Sequence, residues 1–327
     1  MSAEELDVVL HIGYHKTGTT FFQKKVFNSF DNVLYLGRSW VHKDLSSFFY
    51  DFSFTNTLMF DEEKMRKRFY KIVADIVERD EIDISSKKMI LISHESLHSG
   101  SDYFGFKIKD QAIRISQVFP NAKIIFSIRN QVKMIESHYT NYVHHGGKQK
   151  FSYFFNNSYA YNSGLKVKLK YNEVVNYYVE LFGKQAMHVL VFEQIFLNNT
   201  YNLNKLTDFL KLNSVDIPKQ KAVNNRMSKF SISIMRLINS LLAKDFNEQY
   251  NLRLNGNHSY SEKIRWTLIR LLKRIEANKL FPKSIFSYSY LSQKQKSELL
   301  NYYKYSNSHL ANSFDLELDQ YGYYIGE

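Results

Sequence analysis

An apolar strand that leads directly into a glycine-containing loop is the feature that most constrains this sequence. Residues 8–12 are apolar apart from His11, residues 13–20 form the loop, and a predicted helix follows. Gly13 and Gly18 keep the G-x-x-x-x-G spacing of a nucleotide-binding loop. Backbone N–H groups of such a turn, and of the helix that follows it, point towards an anion. The sequence therefore predicts a phosphate-binding loop at the end of a buried strand.

The lysine of this loop stands in an unusual place. A nucleotide-hydrolysing loop has Lys-Ser or Lys-Thr after its second glycine, whereas this chain has Thr19-Thr20 there and carries its lysine earlier, as Lys16. The hydroxyls of Thr17, Thr19 and Thr20 add further donors. We therefore expect the loop to bind a phosphate, but in a manner that differs from the binding of ATP with magnesium.

Short apolar runs alternate with segments of helical periodicity along the first two thirds of the chain. The predicted strands are residues 8–12, 88–93, 123–128 and 188–192, and the predicted helices are residues 62–79, 109–118, 131–144, 171–182 and 203–212. Ile, Val and Leu on both faces of the runs are typical of buried parallel strands. The pattern predicts an α/β fold with a P-loop-type parallel sheet flanked by helices.

The end of the chain has a different character. After residues 218–226, the sequence reads as mainly helical to its last residue. We therefore predict a core of residues 1–220 and a helical cap of residues 221–327 packed on it.

Composition limits the partners and the compartment. The net charge of +12 favours anionic partners, although it does not choose among nucleotides, acidic glycans, nucleic acid and anionic lipid. The chain has no cysteine, which excludes disulfides and thiolate chemistry. It also has no N-terminal apolar segment of a signal peptide and no apolar run of about 18 residues, so we expect a soluble, cytoplasmic protein.

A second candidate anion site follows the strand of residues 123–128. Arg129 comes directly after this strand, and Ser137 lies about two turns along the next predicted helix. Open α/β sheets bind ligands at the carboxyl ends of their strands. A guanidinium fork and a hydroxyl suit a phosphate. Together with the first loop, they predict two anion sites at one sheet edge, one for each end of a bis-phosphorylated nucleotide.

These motifs resemble those of the sulfotransferases that use 3′-phosphoadenosine 5′-phosphosulfate (PAPS). Residues 13–22 resemble the 5′-phosphosulfate loop of that family, and residues 128–139 resemble its 3′-phosphate motif, R-x-P-x-x-x-x-x-S-x-Y, with Gln131 in place of the proline. Residues 189–195 and 204–210 are similar to the strand and helix that close its core. The resemblance covers about residues 6–215. It implies PAPS as the co-substrate and no requirement for a metal.

The resemblance also implies roles for individual residues. Negative charge builds on the oxygen that leaves with the phosphate, and the resemblance places Lys16 at that oxygen. Members of the family carry a histidine or glutamate just past the third strand, which nominates His94 and Glu95 as the general base. The resemblance does not separate the two, and we favour Glu95. By analogy, the acceptor is a glycan or glycolipid, and the aromatic residues of segment 151–161 could stack on its sugar rings.

Three other functions deserve comparison. His94-Glu95-x-x-His98 matches the zinc-hydrolase signature H-E-x-x-H, but it follows a strand where that signature needs a helix. A nucleotide kinase or ATPase would need a lysine where Thr19 stands. The basic amphipathic segment 263–275 carries Ile264, Leu268, Leu271 and Ile275 on its apolar face, and we expect this face to pack on the core. Its basic face could give the enzyme a peripheral membrane contact, or serve a non-catalytic protein that binds a polyanion or a membrane surface. The aromatic residues are spread along the whole chain, which argues against a nucleic-acid partner.

Overall fold

A parallel sheet organises the fold. The computed structural model describes residues 2–37, 42–98, 107–158, 164–194, 199–214, 227–242, 260–277 and 289–326. Within these residues, the strands are β1 (Asp7–Gly13), β2 (Val33–Tyr35), β3 (Met89–Ser93), β4 (Lys123–Ile128) and β5 (Met187–Val191). They form one five-stranded sheet in the order β2-β3-β1-β4-β5, and all four pairs of neighbouring strands are parallel. The α/β fold predicted from the sequence is therefore confirmed.

The strand register places the functional loops at one edge. His11 of β1 lies opposite Ser93 of β3, and Gly13 of β1 lies opposite Ser127 of β4. The chain therefore leaves β1, β3 and β4 at the same edge of the sheet. The four predicted strands are present within one residue at each end. The three-residue strand β2 was not predicted, because a run this short carries no clear periodicity.

Helices cover most of the remaining described chain. They are α1 (Thr19–Phe21), α2 (Lys43–Phe54), α3 (Glu62–Arg79), α4 (Ile108–Val118), α5 (Gln131–His144), α6 (Phe151–Ser158), α7 (Leu165–Lys168), α8 (Tyr171–Phe182), α9 (Asn199–Leu210), α10 (Lys229–Leu242), α11 (Tyr260–Ala277) and α12 (Gln293–Phe314). The predicted bounds of α3, α5 and α8 match. Helix α9 begins four residues before the predicted start and ends two residues before the predicted end. Among the described residues, no helix is long and apolar enough to cross a bilayer.

Internal contacts divide the chain into two compact units. Unit 1 consists of Met1–Asn130, Val167–Lys221 and Tyr303–Glu327, and it contains the whole sheet. Unit 2 consists of Gln131–Lys166 and Ala222–Tyr302. The predicted boundary at residues 218–226 lies outside the described residues, so the division into residues 1–220 and 221–327 stays a prediction. The described parts of the chain after residue 226 are mainly helical, as expected.

The apolar core of unit 1 supports the loop after β1. Val9, Leu91 and Ile125, from three neighbouring strands, are fully buried and belong to one cluster. The same cluster contains Phe22 and Phe27, which follow α1 in a continuous run of helical turns, and side chains of α9. Burial of one such side chain contributes roughly 1.5–3 kcal/mol. The helix that follows the loop is therefore fixed to the sheet by its aromatic side chains.

Candidate active site

The loop between β1 and α1 is a tight turn that leads directly into a helix. Gly13, Lys16 and Gly18 have positive φ angles of 127°, 70° and 79°. The Thr17 hydroxyl donates a hydrogen bond to the Tyr14 carbonyl oxygen at 2.6 Å, which closes the turn. Helix α1 begins directly afterwards, with Gly18 as its N-cap. The sequence therefore folds here as a strand, a tight turn and a helix, as predicted.

The three threonines of the loop have different surroundings. Thr17 and Thr19 are buried, whereas Thr20 is exposed. The hydroxyl proton of Thr17 is used inside the loop, so this side chain stabilises the turn. Direct contacts of Thr17, Thr19 and Thr20 with a phosphate stay predictions.

Lys16 and Arg129 lie together at the carboxyl edge of the sheet. An Arg129 guanidinium nitrogen donates to the Lys16 carbonyl oxygen at 2.8 Å. The guanidinium also lies 4.4 Å from the centre of the Phe192 ring, and the Tyr171 hydroxyl donates to the Arg129 carbonyl oxygen at 2.5 Å. These contacts fix the chain at the end of β4 against the loop that follows β1. The structure thus brings together one residue from each predicted anion site.

A buried glutamate anchors the turn after β4. The Glu193 carboxylate accepts hydrogen bonds from the Asn130 backbone N–H at 3.2 Å and from the Tyr323 hydroxyl at 3.1 Å. The Asn130 side-chain amide donates to the Gly322 carbonyl oxygen at 2.7 Å. The last segment of the chain therefore supports the turn that carries Arg129. No motif or spacing predicted this role for Tyr323 and Gly322.

Ser137 lies in unit 2, about two turns into α5. It is buried, and its carbonyl oxygen accepts a hydrogen bond from the Thr140 hydroxyl at 2.9 Å. The α5 bounds match the predicted helix. The role of Ser137 as a partner of a 3′-phosphate stays a prediction.

Glu95, just after β3, is bound to a residue of the first loop. The His15 Nδ1 atom and a Glu95 carboxylate oxygen form a hydrogen bond, in which the imidazole is more exposed than the carboxylate. Burial tends to raise the pKa of Glu95, but the hydrogen bond and the charges of His15 and Lys16 outweigh it and lower this pKa below its ordinary value. Glu95 is therefore an ionised carboxylate beside the loop lysine at neutral pH.

His15 is a site residue that the sequence analysis did not select. Its position directly before Lys16 could have indicated a place in the site, since neighbouring residues of so tight a loop lie close together. Its partner Glu95 is 80 residues away in the sequence, and no spacing rule connects the two.

His94 has different surroundings from Glu95. Its backbone N–H donates to the His11 carbonyl oxygen at 3.0 Å and so extends the pairing between β3 and β1. Its ring lies 4.9 Å from the centre of the Phe49 ring. Burial lowers the pKa of His94 to about 4. His94 is therefore neutral at pH 7 and packs as an aromatic ring.

The H-E-x-x-H segment does not form the helix that zinc hydrolases need. Glu95–His98 is one short 3-10 turn. With three residues per turn, side chains four residues apart do not share a face. The His98 ring packs between Tyr14 and Phe126, with ring centres 4.7 and 5.3 Å away, whereas His94 packs on Phe49. Within the described residues, no group of three His, Asp or Glu side chains has a metal-binding arrangement.

A buried polar network lies beneath these loops. His11 Nδ1 is 2.8 Å from Ser93 Oγ, and His11 Nε2 is 2.7 Å from Ser127 Oγ. The Gln23 side-chain amide donates to Ser93 Oγ at 2.9 Å. Burial lowers the pKa of His11 to about 4. One neutral imidazole therefore joins the ends of β3, β1 and β4.

Comparison with solved structures finds sulfotransferases at low sequence identity. A sulfotransferase from Alicyclobacillus acidocaldarius shares 15% identity at a TM-score of 0.44, over 79% of this chain and 98% of that one. A mouse sulfotransferase solved in complex with PAP shares 14% identity at a TM-score of 0.41, over 96% of this chain and 94% of that one. A search of curated sequences finds no match.

The family is established by sequence instead of by these distant structural likenesses. Residues 9–216 match the model described as "Sulfotransferase family". The matched segment contains both predicted anion motifs and the turn of His94 and Glu95. The family match therefore favours sulfuryl transfer over the zinc-hydrolase, kinase and non-catalytic alternatives. This chain therefore belongs to the sulfotransferase family and is an enzyme of sulfuryl transfer.

Proposed function

We propose that the enzyme takes a sulfuryl group from PAPS and transfers it to a hydroxyl or amine of a carbohydrate. The contact between the Arg129 guanidinium and the Lys16 carbonyl oxygen carries this proposal. It joins the two motifs that resemble the 5′-phosphosulfate and 3′-phosphate sites of PAPS-dependent enzymes. PAPS carries a phosphosulfate at the 5′ position of its ribose and a phosphate at the 3′ position. Two neighbouring cationic sites suit a ligand with two such anionic groups.

The loop residues 13–20 would hold the 5′-phosphosulfate. Backbone N–H groups bind the phosphate oxygens, and the Lys16 ammonium stabilises the oxygen between phosphorus and sulfur. During transfer, a bond forms between the acceptor oxygen or nitrogen and sulfur, while the bond between sulfur and that bridging oxygen breaks. The leaving product is adenosine 3′,5′-bisphosphate (PAP). Arg129 and Ser137 would bind its 3′-phosphate.

Glu95 is the base that the site geometry favours. The acceptor must lose a proton, and a carboxylate that is ionised at neutral pH can receive it. The hydrogen bond to His15 orients the carboxylate beside the loop of Lys16. His94 is less suited, because its ring packs on Phe49 and burial lowers its pKa to about 4. We therefore assign Glu95 as the base and His15 as its positioning residue.

The acceptor assignment rests on analogy and on the aromatic segment of unit 2. Within α6, the rings of Phe151 and Phe154 pack on Tyr139, with ring centres 5.1 and 5.4 Å apart. Tyr153 is exposed and available to stack on a sugar ring. The end of the predicted segment, residues 159–161, lies outside the described residues. A glycan or glycolipid is the proposed acceptor, and the cytoplasm is the proposed compartment.

Calorimetry with nucleotides tests the proposed donor. We expect PAP to bind without metal, and ATP to bind at least tenfold more weakly with or without magnesium. Arg129→Ala should weaken PAP binding about 10- to 100-fold, because it removes charge-assisted hydrogen bonds to the 3′-phosphate. AMP binding should fall clearly less, through loss of the contact with the Lys16 carbonyl oxygen alone. The exposed Arg79 of α3 gives the matched control, Arg79→Ala. Equal losses for PAP and AMP would argue against a 3′-phosphate site at Arg129.

A further inference from the structure

Helix α10 of unit 2 presents an exposed apolar stripe. Phe230, Leu237 and Leu241 are 51%, 64% and 79% exposed. Their spacing of seven and then four residues places them on one face of the helix. Exposed leucines are common one at a time, whereas three large apolar residues on one helical face form an apolar stripe along the helix. This face is turned away from the apolar packing of its own unit.

The opposite face of α10 packs inside unit 2. Ile232, Met235 and Asn239 are buried. The Asn239 side-chain amide donates to the carbonyl oxygens of Val143, in α5, at 2.8 Å and of Gly147 at 3.0 Å. The helix is therefore already fixed within its unit, and the exposed stripe contributes nothing to that packing.

Helix α11 packs against both α10 and α5, and its outer face is cationic. Lys263, Arg270 and Arg274 are exposed on one side of the helix, together with Trp266 and Leu271. Residues 263–274 contain no acidic side chain. This exposed face therefore combines positive charge with apolar groups.

The sequence-based assignment of faces on α11 was partly wrong. Leu271 was predicted on the packed apolar face but is exposed, whereas Arg265 is buried together with Ile269 and Leu272. The apolar residues of this helix spread over more than half of its circumference, and only one part of that arc packs. Trp266 and Leu271, at the two ends of the arc, remain exposed beside the basic residues.

We propose that the exposed faces of α10 and α11 form a docking surface for an anionic lipid membrane. An amphipathic surface binds a bilayer interface when apolar side chains enter the headgroup region and cations attract acidic lipids. The α10 stripe supplies the first property and α11 supplies the second, with Trp266 as an interfacial side chain. A soluble polyanion would pair with the cations but leave Phe230, Leu237 and Leu241 in water. A membrane would contact both the apolar side chains of α10 and the cations of α11. Such binding does not depend on which sulfuryl donor the enzyme uses.

Vesicle sedimentation with the full chain tests this surface. We expect binding to phosphatidylcholine vesicles that contain phosphatidylserine, and at least tenfold weaker binding to phosphatidylcholine alone. Leu237→Gln/Leu241→Gln and Arg270→Gln/Arg274→Gln should each reduce binding to the anionic vesicles about tenfold or more. The single variant Leu237→Ser should reduce it about threefold and serves as the milder test of the same stripe.

Matched controls come from unit 1. Leu58→Gln/Met59→Gln changes two exposed apolar residues, and Lys64→Gln/Lys71→Gln changes two exposed lysines of α3. Both pairs should bind vesicles within twofold of the wild type, and all variants should keep its thermal unfolding transition. Equal binding to neutral and anionic vesicles would overturn the proposal, as would full binding by the Leu237 and Leu241 variants. Binding to heparin without binding to vesicles would assign the surface to a soluble polyanion and overturn it too.

Discussion

Two polar layers at the end of the sheet differ in what they contact. The inner layer consists of His11, Gln23, Ser93 and Ser127, which are buried and hydrogen-bonded to one another. The outer layer consists of His15, Lys16, Glu95 and Arg129, which lie at the loops and reach solvent to different degrees. His11 and His15 are four residues apart, yet one joins three strands and the other pairs with a carboxylate beside the loop.

This difference separates the stability of the site from its chemistry. A buried hydrogen-bonded network gives a fixed arrangement, because each unpaired polar group inside a protein costs about 1–3 kcal/mol. Charged groups near solvent can bind an anionic ligand while the buried hydrogen-bond network of the inner layer stays intact. We therefore expect changes in the outer layer to reduce turnover at constant stability, and changes in the inner layer to reduce stability.

The largest expected effect is on turnover, at Lys16 in the outer layer. Lys16→Ala removes the cation that we propose stabilises the leaving oxygen, so kcat should fall about 10²- to 10⁴-fold. Binding of PAP should change less than tenfold, and the thermal unfolding transition should not fall. Steady-state kinetics with the exposed Lys25→Ala as control measure the effect. An unchanged kcat would remove Lys16 from the mechanism.

The second effect distinguishes Glu95 from His94. Glu95→Gln should lower kcat about 10²- to 10³-fold through loss of the proposed base, whereas His94→Phe keeps an aromatic ring against Phe49 and should lower it less than tenfold. His15→Asn removes a partner that lowers the pKa of Glu95, so this pKa rises and the acidic limb of the kcat/KM profile moves to higher pH. The three pH–rate profiles are the measurement. An active Glu95→Gln enzyme together with an inactive His94→Phe enzyme would transfer the role of base to His94.

The smallest effect concerns the inner layer and the free energy of unfolding. The pKa of His11 is about 4 in the folded protein and has an ordinary value of 6.5, so the unfolded chain binds more protons between these values. The stability contributed by neutral His11 is complete above pH 6.5 and falls progressively towards pH 4, by up to about 3 kcal/mol at about 1.4 kcal/mol per pKa unit.

Urea unfolding between pH 4 and pH 8 measures this contribution. His11→Phe should be less stable at pH 7, because Ser93 and Ser127 lose a partner, and its stability should depend less steeply on pH. His94 and His188 also have pKa values lowered to about 4 by burial, so part of the slope should remain. An identical slope in the variant and the wild type would show that His11 does not titrate in this range.

The sequence predicted the sheet and the loops better than the contacts between them. Buried strands such as β4 and amphipathic helices such as α3 carry their periodicity locally, so their bounds could be identified. The pairing of His15 with Glu95 and of Asn130 with Glu193 joins segments that are distant in the chain, and only the strand order brings them together. The exposed position of Leu271 depends on which part of a wide apolar arc finds a packing partner, and a helical pattern alone does not decide that.

Gly13 has a consequence for the pairing of β1 with β4 below the loops that carry Lys16 and Arg129. A Cβ atom at this position would lie 2.6 Å from the backbone oxygen of Ser127 and 2.7 Å from its nitrogen, both too close for any side chain. Even an added methyl group would therefore force β1 and β4 apart at the point where their loops begin. The close pairing of β1 with β4, which keeps the loops of Lys16 and Arg129 side by side, therefore depends on the glycine at this position.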